Sequence, residues 1–183
     1  AQRKSLVLLE NNGILPLKEE SKIYIDGLDK NIGEKFGNVV NDPSEADVII
    51  MYIHTVFNGN QESGLNRIFD NFLSKLFPNG DLEFNEEIEN KIKEYSKLKE
   101  LIVVVDLNRP AILETIKESS SGVIATFGVL DQIIFEGIYG KFNPSGKLPF
   151  EIPSSMEAVY NQKEDLPDDS LNPTYEFGYG ISY

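Results

Sequence analysis

The stretch Glu100–Leu107, ELIVVVDL, decides how the chain is read. Leu101 to Val105 are apolar without a break, so the run lacks the alternation of a strand with one wet face. A run this short and this rich in valine reads as a strand buried on both faces, as in a parallel sheet between helices. GVIATF (122–127) repeats the pattern. ADVIIMYI (46–53) and KIYID (22–26) read as further strands, and FGNVV (36–40) as a weaker one.

Helical stripes fall between these runs. Leu65, Ile68, Phe69, Phe72, Leu73 and Leu76 share one helix face, as do Ile88, Ile92 and Tyr95. Pro110 suits the first turn of a helix reaching about Glu118. Val129, Leu130, Ile133, Ile134 and Ile138 form the last stripe. At the start, SLVLLENNGILPLK (5–18) reads as a helix stopped by Asn12-Gly13, with extended chain before Pro16. After Gly140 the texture turns to NPSGKLPFEIP (143–153) and TYEFGYGISY (174–183), a tail wrapping the core with an edge strand near Lys147–Glu151. In the first of these, Asn143–Gly146 reads as a turn in which Pro144 fixes φ and Gly146 permits a positive φ. Strands alternating with helices predict an α/β fold: a three-layer α/β/α sandwich around a mostly parallel, doubly wound sheet of flavodoxin/Rossmann-like topology. One domain spans residues 1–183.

The chain has 183 residues, enough to bury one core without staples. Its formal net charge is −13, from 30 acidic against 17 basic residues, which repels nucleic acid and anionic membrane alike. There is no cysteine, which removes disulfides and thiolate chemistry. No apolar run approaches the roughly 20 residues of a membrane span. The phosphate-cradling glycine loops, the dinucleotide fingerprint and the G-x-S-x-G elbow are all missing, and one histidine cannot build a His-rich zinc site. No cofactor or metal is expected.

The segment HTVFNGNQESGLNR (54–67) leaves the carboxyl end of a strand, where ligands bind in open α/β sheets. It exceeds the median connection of about 4–6 residues. Asn58, Asn60, Gln61, Glu62, Asn66 and Arg67 are compact hydrogen-bonding groups that suit sugar recognition and a solvated connection alike. His54, at the strand end, reads as a loop or capping residue. Asp131 and Arg109, also beyond strand ends, read as a helix cap and an ion-pair partner.

The tail carries a more specific signal. GIYGKFNPSGKLPFEIPSSMEAV (137–159) followed by YEFGYGISY (175–183) resembles the C-terminal α/β domain of glycoside hydrolase family 3, the β-glucosidase family. SLVLLENNGILPLK is similar to that domain's opening segment, and ADVIIMYI to its central strand. The resemblance implies a retaining exo-glycosidase acting on β-linked oligosaccharides or glycosides, with two carboxylates about 5–5.5 Å apart. The family's nucleophile is an aspartate in a Ser-Asp-Trp-like motif on a preceding barrel domain. This chain has no tryptophan and no such motif, and it begins at Ala1. The resemblance therefore implies a piece of a longer protein, inactive alone, whose N-terminal barrel partner is absent and whose compartment (secreted, periplasmic or cytoplasmic) is open.

Family β-glucosidases often carry the acid/base glutamate on a loop of this domain, near a Glu-Gly-x-Asp-Arg pattern. ESGLNR (62–67) resembles it, with Glu62 as the acid/base and Asn60, Gln61, Asn66 and Arg67 as substrate-binding neighbours. It departs by one extra residue and by Asn66 in place of aspartate. Glu83, Glu86 and Glu87 fit a helix start better than an active site. The hexosaminidase-like branch keeps its acid on the barrel. There the present domain is a non-catalytic module that shapes the sugar pocket or holds a homodimer.

Overall fold

The computed structural model describes residues 2–55, 82–163 and 168–183. Its strands are β1 (Leu6–Asn11), β2 (Lys22–Asp26), β3 (Asn38–Val40), β4 (Val48–His54), β5 (Glu100–Asp106) and β6 (Gly122–Thr126). They form one sheet in the order β1-β6-β5-β4-β2-β3. Strands β2 to β6 run parallel, and β1 pairs with β6 antiparallel. The described helices are α1 (Lys30–Gly33), α2 (Glu86–Leu98), α3 (Glu114–Ser119), α4 (Asp131–Ile138) and α5 (Met156–Tyr160).

The unbroken apolar run in β5 has the predicted cause. Leu101, Val103 and Val105 enter one core with Ile92 and Tyr95 of α2 and Ile116 of α3. Ile102 and Val104 enter the other with Ile134, Phe135 and Ile138 of α4. Successive side chains point to opposite faces of a strand, so two covered faces demand apolar residues at every position. The result is the expected three-layer sandwich.

Among the parallel strands the order reverses at β2. β3 follows β2 on one side, and β4 lies on the other. This is the flavodoxin-like arrangement, whose ligand crevice opens beyond the carboxyl ends of the two strands flanking the reversal. Here those strands are β2 and β4.

Three local expectations are corrected. The opening segment is a strand rather than a helix. Leu6 and Leu8 pack into one core and Val7 and Leu9 into the other, a period of two. Gly13 does have a positive φ, but it follows a strand. The segment after Pro110 becomes helical only at Glu114. Ala111 and Leu113 alternate into the core, and the Ile112 N–H is taken by the Leu82 carbonyl, so this stretch pairs instead of coiling. Lys147–Glu151 is not a strand. A single bridge joins Ile152 to Tyr175, and Pro149 has no N–H with which to continue a ladder.

The tail nonetheless fastens to the sheet. Ile181 N–H donates to the Leu8 carbonyl at 2.8 Å, Ser182 Oγ to the Pro144 carbonyl at 2.8 Å, and Tyr183 Oη to the Gly137 carbonyl. Gly146 is required for a reason other than a positive φ. A Cβ there would overlap the Leu6 carbonyl oxygen and come within 2.8 Å of that of Lys4. The NPSG segment is therefore pressed backbone to backbone against the entry to β1. No helix among the described residues is long and apolar enough to cross a membrane.

Candidate functional site

Four of the five parallel strands end in polar residues: Asp26 in β2, His54 in β4, Asp106 in β5 and Thr126 in β6. The ladder sets His54 opposite Asp106 and Asp106 opposite Thr126, so a polar row crosses the carboxyl edge of an apolar sheet. Polar side chains are tolerated there because the strands are leaving the core, and each finds partners.

Asp106 is the centre of the row and is buried. Its Oδ1 accepts the Thr126 hydroxyl at 3.0 Å and the Gly128 N–H at 2.9 Å. Its Oδ2 faces Nδ1 of His54 at 3.5 Å and Nδ2 of Asn108 at 3.5 Å. The Asp106 carbonyl accepts the Thr55 N–H at 3.1 Å, and Thr55 Oγ1 accepts the Asn108 N–H at 3.1 Å. Thr55 is thus tied to β5 at the point where the chain leaves β4.

On the reversal side, Asp26 Oδ2 lies 2.7 Å from Lys91 Nζ and accepts the Tyr95 hydroxyl at 3.1 Å. Burial first, and then the Asp26 charge, raise the Tyr95 phenol far above its ordinary value, so it stays a neutral donor. Gly27 follows with φ +94°, and a Cβ there would sit 2.6 Å from the Tyr52 carbonyl oxygen. Tyr52 is pushed up to about 12, first by burial, then by the charges of Asp106 and Asp131, with the Thr126 hydroxyl acting the other way. Asp131 does not cap its own helix by a side-chain bond. Its Oδ2 accepts the Asp29 N–H at 2.8 Å, tying the start of α4 to that of α1, which Asp29 caps.

Asn60, Gln61, Glu62, Asn66 and Arg67 lie outside the described residues, as does the helical stripe from Leu65 to Leu76. The anchors at either end of that stretch are described. Thr55 is one. At the other, the Leu82 carbonyl accepts Ile112 N–H at 2.9 Å and the Leu82 N–H points at Met156 Sδ at 3.4 Å. Beyond it, Asn85 caps α2 through the Ile88 N–H, and Glu86 and Glu87 occupy its first turn, where acids favour the helix dipole. The two described flanks of residues 56–81 are therefore tied down, Thr55 to β5 beside the reversal-point strand and Leu82 to α5 and the segment before α3.

Residues 24–183 match the glycosyl hydrolase family 3 C-terminal domain. The chain belongs to that family. It is 36% identical over 186 residues to a periplasmic β-glucosidase/β-xylosidase of Dickeya chrysanthemi, a match covering all of this chain and 27% of that protein. It is 35% identical over 192 residues to β-glucosidase C of Emericella nidulans, covering all of this chain and 29% of the relative. The chain thus spans under a third of the length of these family members. In fold it is similar to the β-glucosidase of Listeria innocua in complex with isofagomine, with a TM-score of 0.73 at 19% identity, covering 98% of this chain and 32% of that one. It is also similar to β-glucosidase 3B of Thermotoga neapolitana in complex with glycerol, with a TM-score of 0.71 at 18% identity, covering 97% and 36%. The tail segments NPSG (143–146) and GYGISY (178–183) are here backbone straps over β1, and the run ADVIIMYI supplies β4.

The sequence did not reveal that His54 and Asp106 meet. The available signal was that each is the polar residue closing an apolar strand run. The pairing itself needed the sheet order.

Proposed function

We propose that residues 1–183 form the second domain of a β-glucosidase-like retaining exo-glycosidase, in which this domain closes the active site and presents Glu62 as the acid/base. The supporting observation is the position of the Glu62 stretch, which starts from Thr55 at the carboxyl end of β4, beside the strand-order reversal. The named relatives, matched over the whole chain and much longer than it, support a partner domain. An aspartate on a preceding barrel domain attacks the anomeric carbon. Glu62 protonates the departing glycosidic oxygen, then takes a proton from the water that releases the glycosyl enzyme. Asn60, Gln61, Asn66 and Arg67 hydrogen-bond sugar hydroxyls around it. The substrate class is a β-linked glucoside or xyloside, cut one sugar at a time.

General acid catalysis contributes about 10²–10⁴-fold, and most for poor leaving groups. Glu62→Gln in the full-length protein should therefore cut kcat on a disaccharide by about that factor, and act far less on the glycosylation of an activated aryl glycoside. A change confined to KM would instead make the domain a non-catalytic module of the sugar pocket. Ordinary kinetics on both substrates would remove Glu62 from the mechanism.

A further inference from the structure

At the opposite edge of the sheet, β1 ends on Asn11 and is followed by Asn12-Gly13, a unit with no part in the proposed chemistry. An Asn-Gly unit is prone to lose its side-chain amide, because glycine has no side chain to screen its backbone nitrogen or restrict its torsions. Here the unit stands open. Asn12 and Gly13 are exposed, and a Cβ on Gly13 would meet nothing within 4 Å among the described residues. The Asn11 side chain restrains it. Its Oδ1 accepts the N–H of Gly13 and that of Leu15, each at 3.0 Å, and its Nδ2 donates to the Leu15 carbonyl at 2.9 Å. Both flanks of this tie are anchored. The Asn12 N–H donates to the Ser121 carbonyl at 2.9 Å, and Leu15 and Leu17 are buried in the core that holds α4. Gly13 is thereby fixed at φ +89°.

We propose that Asn12-Gly13 is a deamidation site and that Asn11 holds it in check. In the reaction the Gly13 nitrogen gives up its proton and attacks Cγ of Asn12. The bond from Cγ to the side-chain nitrogen breaks, ammonia leaves, and a succinimide ring closes. Water, the one co-reactant, then opens either ring carbonyl to give aspartate or isoaspartate at position 12. The attacking nitrogen must lose its proton and turn toward Cγ. Its hydrogen bond to Asn11 Oδ1 opposes both, since it stabilises the N–H form and fixes the peptide plane. The product adds a negative charge to a chain already at −13. Isoaspartate also adds a methylene to the backbone between the Ser121 anchor and buried Leu15, which loosens the junction of β1 with β6.

The test incubates the full-length protein at mildly alkaline pH, folded or in concentrated urea, and follows the tryptic peptide SLVLLENNGILPLK (5–18) by mass spectrometry. Isoaspartate is counted by enzymatic methylation. The parent should convert at position 12 more slowly folded than unfolded. Asn11→Ala removes the acceptor and should speed conversion of the folded protein by about five- to tenfold, with little change in urea. Asn11→Asp keeps the acceptor oxygens, so its ratio of unfolded to folded rate should stay near that of the parent. The effect of its own charge on the reaction cancels in that ratio. Gly27→Ala, which strains the far edge of the sheet, should leave position 12 unchanged. A folded Asn11→Ala that converts no faster than the parent would overturn the role of Asn11. Equal acceleration by Gly27→Ala would assign the effect to unfolding and overturn it too. An amide that survives at position 12 even in urea would overturn the site itself. Should Asn11→Ala fail to fold, the rate ratios of the parent and of Asn11→Asp decide: ratios near one sink the proposal.

Discussion

At the scale of single residues, the crevice is built where side chains are forbidden as much as where they are present. Gly27 turns the chain out of β2 with a positive φ while lying against the Tyr52 backbone of the neighbouring strand. Alanine there meets both a left-handed backbone, which costs roughly 1–2 kcal/mol, and a carbonyl oxygen that cannot retreat without disturbing β4. Gly27→Ala should lower unfolding stability by about 2–3 kcal/mol in urea titration, since strain and overlap add. A loss below about 0.5 kcal/mol, within the range of an ordinary surface change, would mean that the two strand ends are not held as described. None of this was legible locally. Gly27 reads as a strand stop, and His54 reads as a cap. Their partners, Tyr52 and Asp106, come from other strands, and only the sheet register reveals them.

At the scale of elements, β5, β6 and α2 were legible because their patterns are strong: unbroken apolar runs for the strands, and Ile88, Ile92 and Tyr95 on one face for the helix. β1 was not. A short apolar run suits a buried helix and a buried strand equally, and its antiparallel place beside β6 is set by distant chain. The turn after α4 carries a second consequence. Tyr139 packs its ring 5.7 Å from that of Phe36, and its buried hydroxyl has no hydrogen-bond partner among the described residues. Burial, with a smaller effect from the Glu19 charge, pushes this phenol up to about 12 from 10.0. The unfolded chain loses the proton first, so the stabilisation from keeping Tyr139 neutral is intact below pH 10 and is lost as the pH rises toward 12. Tyr139→Phe removes a desolvated hydroxyl and this linkage together. It should raise stability by about 1 kcal/mol at neutral pH and flatten the decline between pH 10 and about 12. A variant that is less stable at pH 7 and declines as steeply as the parent would show that the hydroxyl is satisfied.

At the scale of the whole molecule, fold and family were legible from different parts of the chain. The sandwich followed from strand texture. The family followed from the tail, whose glycine and proline residues are structural: Gly146 for close approach to β1, Pro149 as a stop to strand pairing. The proposed catalytic residue was legible through resemblance and through its place after β4, where the strand order reverses. On the proposed reading the chain supplies one carboxylate of two and cannot complete a retaining cycle alone, so that reading is tested in the full-length protein. There Glu62→Ala leaves a glycosyl enzyme with no base to activate water. A small anion that needs no base can take the water's place at the anomeric carbon. The decisive measurement is turnover of an activated aryl β-glycoside by full-length Glu62→Ala with and without sodium azide, with the product examined by NMR. The account predicts that azide raises turnover by about tenfold or more and that a β-configured glycosyl azide accumulates, since the base it replaces contributes at least about 10²-fold. Turnover indifferent to azide, with only free sugar released, would contradict it.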